Sequence, residues 1–111
     1  MTVTPKNLGE GQLPNSKGTL YTVPASTHAM VVSIILTNTN SSSETVSIYY
    51  KKSGSSSREL LDGLVIPAKG SSLGNTFILD AKITMEPGDI LEGVSTTASK
   101  TTYVISGWEE S

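Results

Sequence analysis

The chain has 111 residues, a formal net charge of −2 and no cysteine. This length fits one domain able to bury roughly two thirds of the surface its unfolded form exposes, and the missing cysteine excludes a disulfide framework and thiolate chemistry. Charged residues make up only 16% of the chain, with Ser and Thr supplying the polarity instead, so there is no basic footprint for nucleic acid and no basic amphipathic stretch for a membrane.

Residues 1–18 are polar and rich in Gly and Pro, with Leu8 and Leu13 as the larger apolar anchors. They read as an extended arm preceding a single β domain over 19–111. No apolar stretch of signal-peptide length opens the chain. The apolar run from Met30 to Leu36 is broken by Ser33 and falls far short of the roughly 20 residues of a membrane span.

Strand signals begin at residue 19. A first strand is predicted over 19–23, ended by Pro24. A second covers 29–37, where Met30, Val32, Ile34 and Leu36 alternate with Val31, Ser33, Ile35 and Thr37. Apolar residues fall on both sets, which predicts a central strand covered over most of its length. Residues 38–43 are a turn or loop. Over 45–51, Val46, Ile48 and Tyr50 alternate with polar neighbours and Tyr49, the mark of a half-buried strand. The Gly/Ser run after Lys51 is a hairpin-like loop. A fourth strand over 58–66 carries a bulge or turn at Asp62-Gly63, and Pro67 ends it. A fifth spans 72–79. Glu86-Pro87-Gly88-Asp89 is a turn signal, because Pro presets φ and Gly accepts φ > 0; short strands should flank it. The last strand spans 101–108. Seven to eight short strands with regular turn signals and no helical period predict an all-β chain, an antiparallel β-sandwich of jelly-roll-like form.

Little in this chain can do chemistry. His28 is the only histidine, and a nucleophile–base pair needs an oriented imidazole or another base. The serines sit in turns, and no G-x-S-x-G elbow exists. One His and no Cys exclude the usual zinc sets. Asp80, Glu86, Asp89 and Glu92 fall in one region and leave calcium open, but without EF-hand spacing they read as turn carboxylates facing water. The same acids could form a glycosidase pair, yet short strands leave little material for a sugar cleft. Gly9-Glu10-Gly11 is too short for a phosphate loop. Asn40-Ser41-Ser42 matches a glycosylation sequon that so Ser-rich a chain produces by chance. No cofactor is expected. Trp108, the sole tryptophan, is either a strand-end core residue or an interface anchor of the kind enriched at binding hot spots. The candidate interface residues are Leu8, Leu13 and Pro14 on the arm, together with Trp108.

The segments LYTVPAST, VVSIILTNTN, TVSIYY, Ile66-Pro67-Ala68, MEPGDILEGVS and YVISGWEE, in that order, resemble small virion structural proteins of tailed bacteriophages. Tyr21, Val23, Pro24, Asn38, Pro67, Pro87, Gly88, Asp89, Ser106, Gly107 and Glu109 carry the likeness, and it covers about residues 19–110. The resemblance implies a β-sandwich or jelly-roll subunit used repetitively in the virion and assembled in the host cytoplasm. The first expectation is a capsid decoration (cement) protein that binds the major capsid protein or another virion protein as a homo-oligomer, a trimer. A tail, neck or fibre component is the alternative within that class. A carbohydrate-binding module for host attachment is the alternative outside it. The resemblance transfers no catalytic residue. An arm of 18 residues could reach roughly 60 Å if fully extended, far enough to add a strand to a neighbour.

Overall fold

The structure is a computed structural model and describes residues 3–80 and 82–111. Among the described residues there are nine strands and no helix: β1 (Val3–Gln12), β2 (Gly18–Thr22), β3 (His28–Asn38), β4 (Glu44–Lys51), β5 (Ser57–Ile66), β6 (Thr76–Leu79), β7 (Ile83–Met85), β8 (Ile90–Ser95) and β9 (Thr101–Glu110). Two antiparallel sheets form. One has five strands in the order β1-β9-β3-β6, with β7 also on β3; the other has four in the order β2-β8-β4-β5. The all-β sandwich predicted from the alternation is therefore the observed architecture. The strand count exceeds seven to eight, and the strands are not all short: β3 has 11 residues.

The core lies between the sheets. Val31, Ile34 and Leu36 of β3 and Ile105 of β9 meet Val46 and Ile48 of β4 and Leu91 of β8, all fully buried. Gly93 on β8 leaves room for them, since a Cβ there would meet Leu20, Leu13 and Ile48 side chains at 2.8–3.2 Å. The five-stranded sheet is equally tight at Gly107, where a Cβ would run into the Met30 carbonyl.

Several elements depart from the sequence reading. The expected arm is extended from Val3 onward, but it is not free. Its residues Val3 to Gln12 form β1, which pairs antiparallel with β9 from Val3↔Glu110 to Gln12↔Thr102. Residues 1–2 of that arm lie outside the described residues. Leu8 and Leu13, expected at an interface, belong to the domain's own core. The reason is that an edge strand can be held by its backbone ladder with one inward side chain, and such a strand shows no apolar period. Residues 72–75 are loop, so the fifth predicted strand shrinks to β6.

In β3 the register shifts between Val31 and Ser33. The bulge residue Val32 reverses the parity, so the inward set is Ala29, Val31, Ile34, Leu36 and Asn38. Strict alternation across 29–37 cannot describe that strand. The bulge predicted near Asp62-Gly63 is present: the β4–β5 register shifts between Val46 and Ile48, whose partners are Leu64 and Leu61, and Gly63 has φ 66°.

The predicted turn at 86–89 closes with Asp89 N–H donating to the Glu86 carbonyl at 3.0 Å. It also grips the residue that follows β2, since Gly88 N–H donates to Val23 O at 3.0 Å and Val23 N–H to Asp89 O at 2.9 Å.

Candidate interaction surface

The two outer faces of the sandwich differ in chemistry. On the four-stranded sheet, Tyr49 stands between Glu92 of β8 and Glu59 of β5 in the ladder. The Lys17 ammonium lies 4.8 Å from the centre of its ring, and the Ser57 hydroxyl donates to Glu92. That face is charged and solvated.

On the five-stranded sheet the outward positions are almost free of charge. One ladder row runs Pro5, Trp108, Met30, Thr84; another runs Glu10, Val104, Ile35, Ile78. Between them lies a small polar row of Asn7, Ser106 and Ser33. These rows follow from the pleat: alternate residues of β9 point outward, and the β3 bulge brings Met30 and Ile35 to the same side. Trp108 is 42% exposed, Met30 39% and Ile78 59%. Val3, His28, Met30, Thr84, Trp108 and Glu110 line a shallow pocket of about 240 Å³ at one end of the face.

Each candidate residue now has a place. Leu13 is fully buried and Leu8 nearly so, Pro14 is half-buried, and Trp108 stands on the outer face. His28 begins β3 beside Trp108, at the pocket. The four acids do not converge. Asp89 is buried in its turn and accepts from Tyr50 Oη at 2.6 Å, Ser53 N–H at 2.9 Å and Glu86 N–H at 2.9 Å. Glu86 pairs with Lys52 at 2.9 Å, and Asp80 lies 3.7 Å from Lys82. Glu92 faces outward on the other sheet. Among the described residues no three His, Asp or Glu side chains form a group that could hold a metal ion.

The sequence reading missed the structural roles of two carboxylates, buried Glu44 and half-buried Glu109. Glu44, at the start of β4, is 1% exposed. Its carboxylate accepts from Ser95 Oγ at 2.7 Å, Thr97 N–H at 2.8 Å and Asn40 Nδ2 at 2.9 Å. Burial pushes its carboxyl up, but these donors outweigh burial and hold it below the ordinary value. Beside it, buried Asn38 donates to Ser42 O at 2.9 Å and Ile66 O at 3.1 Å and accepts from Asn40 N–H at 2.8 Å. Together they fasten the loops at one end of the sandwich. Asn40, the sequon residue, has its amide engaged in this network. At the other end Glu109 accepts from Tyr21 Oη at 2.6 Å and Lys6 Nζ at 2.9 Å; the Tyr21 bond, then Lys6, holds its carboxyl low. That bond ties the sheets together. No local pattern marks these roles, because Ser95 and Thr97 lie about 50 residues from Glu44, and Tyr21 and Lys6 lie far from Glu109.

No protein-family model and no curated protein matches this sequence. Among solved structures, the chain is similar to a subunit of Bacillus endospore appendages, described as disulfide-linked pili: 16% identity, 99% of this chain and 88% of the other covered, TM-score 0.56. It is also similar to a pentameric capsid protein from metagenomic phage sequences: 14% identity, 92% and 60% covered, TM-score 0.41. At these identities the first likeness speaks for the fold, and the second carries no further weight.

Proposed function

We propose that this protein is a non-enzymatic structural subunit of a tailed-phage virion, a capsid decoration protein that coats the outer shell as a homo-oligomer. The carrying observation is the sparsely charged outer face of the five-stranded sheet, with exposed Trp108, Met30 and Ile78 on its ladder and its carboxylates, Glu10 and Glu110, at the border. An exposed apolar patch of this kind marks a protein contact; the other exposed large hydrophobics, Leu60 and Val65 of β5 and Leu73 in the loop before β6, stand apart from it. The phage-like order of strand and turn segments supplies the particle.

Two further features support the reading. Glu44 and Asp89, the buried acids among the described residues, are engaged in structural hydrogen bonds. The sheet order, with β6 and β7 taken as one broken strand, is that of an eight-stranded jelly roll, an architecture of capsid domains. The pilus subunit of similar fold is itself an assembly protein. Its disulfide linkage has no counterpart in this chain, which contains no cysteine, so assembly here rests on non-covalent contacts.

The test is to add purified protein to phage shells that lack it and image the product. Copies spread over the whole shell support decoration. Copies confined to the portal end or the tail move the protein to the neck, tail or fibre. Absence from all virion parts sinks the proposal.

A further inference from the structure

We infer that the outer face of the five-stranded sheet packs against the same face of a second copy. The two-fold axis lies in the plane of the face, across the strands, over Ser33 and Ser106. The inference rests on the self-associating part of the reading above and names the surface and its geometry.

The pattern of the face carries it. The two apolar rows, Met30–Trp108 and Ile78–Ile35–Val104, flank the Ser33–Ser106 row on either side. A two-fold through the serine row reverses strand direction and exchanges the two apolar rows. Ile35 then lands on the partner copy's Met30 position, Val104 on Trp108, and Ile78 beside Thr84 and the pocket. Every apolar group meets an apolar or small neutral one.

Charge agrees. In an isologous contact each residue on the axis confronts its own image, so a charged central row would repel itself. The central row here is Asn7, Ser106 and Ser33; the one carboxylate near its end, Asp80 just after β6, is paired with Lys82 at 3.7 Å. The border groups Glu10, Glu110 and His28 fall opposite Pro5, Thr102 and Thr37 under the same operation, all neutral. The outer face of the four-stranded sheet has no such pattern. Its central row carries Glu59, Tyr49 and Glu92, and pairing that face would oppose carboxylates.

Size agrees as well. Ten residues at about 3.3 Å and four strands at about 4.8 Å give a face of about 600 Å². Two such faces bury on the order of 1,200 Å², the lower bound of a specific interface. Aligned sheets packing about 10 Å apart at roughly −30° are a standard solution. The contact is two-fold, so it does not by itself build the trimer expected from the phage resemblance.

Sedimentation velocity on the intact chain tests this. The wild type should dimerise. Ser106→Asp and Ser106→Lys each set like charges across the axis and should raise the dissociation constant at least tenfold, while an equimolar mixture of the two should restore the dimer. Thr45→Asp, on the other face, should leave it unchanged. Trp108 is the only tryptophan, so its emission should shift to the blue over the concentration range in which the dimer forms, a readout that needs no variant. Dimers lost in Thr45→Asp but kept in both Ser106 variants, or formed without a Trp108 shift, overturn this face and leave self-association standing. A wild type that stays monomeric at all concentrations overturns both.

Discussion

Gly107 shows how tightly single positions are set. It lies on β9 where the β3 bulge draws the Met30 carbonyl over it, and a Cβ would meet that backbone atom as well as Leu8 Cδ1. Backbone cannot swing aside as a side-chain tip can. Gly107→Ala should therefore cost about 3 kcal/mol, at the upper end of overpacking penalties, measured by urea unfolding. Glu44 is the polar counterpart. Its Ala variant removes the acceptor of the buried Ser95 hydroxyl, which keeps only Thr101, and of the part-buried Thr97 amide, and each orphaned group costs about 1–3 kcal/mol. A loss of about 3 kcal/mol is expected; a change below about 0.5 kcal/mol, the scale of an ordinary surface substitution, would show that the network contributes little. Trp108 is the opposite case, a large ring kept outside the core by the parity of β9.

Among the elements, β1 and β3 contrast most. β3 runs between β9 and the β6/β7 pair and buries five of its 11 side chains. β1 has one buried side chain in ten, Leu8, and lies at the sheet edge. Its hold is the backbone ladder, the Lys6–Glu109 pair and Leu8, and an exposed pair such as this contributes little. Local opening should start there. In native-state hydrogen exchange, β1 amides bonded to β9 should exchange at least tenfold faster than those of Ile34 to Leu36; equal protection would show that β1 opens only with the whole domain. The free edge of β1 is blunted by Pro5, Lys6 and a register shift between Asn7 and Gly9, the usual guards against edge-to-edge aggregation.

At the scale of the molecule, pH should act through acids held low. Glu44, Asp89 and Glu109 all sit below their ordinary values of 4.5, 3.8 and 4.5. For Glu44 and Asp89, donated hydrogen bonds overcome burial; for Glu109 the Tyr21 bond and Lys6 lead. Carboxyls lowered by folding contribute stability above their unfolded values, and it is lost as pH falls through the folded ones. Melting temperature should stay level from neutrality to about pH 5 and then fall steadily. Tyr21, Tyr50 and Tyr103 are raised above 10.0, chiefly by burial, so stability should also fall as pH rises beyond 10.0. Glu44→Gln should flatten part of the acid limb, and an unchanged limb would exclude Glu44 as a contributor.

The residues by themselves determined the β class, most strand positions, the turn at 86–89, the bulge near Gly63 and the scarcity of chemistry, because period, Pro and Gly act locally. They also marked Trp108 as the ring to follow. The rest needed the tertiary structure. Whether residues 3–12 dock on the domain, which way Trp108 faces, and which carboxylates are buried depend on a ladder between the two ends of the chain, on one extra residue in β3, and on donors brought together from loops about 50 residues apart. Each is a long-range contact, and a linear pattern carries no record of its distant partners.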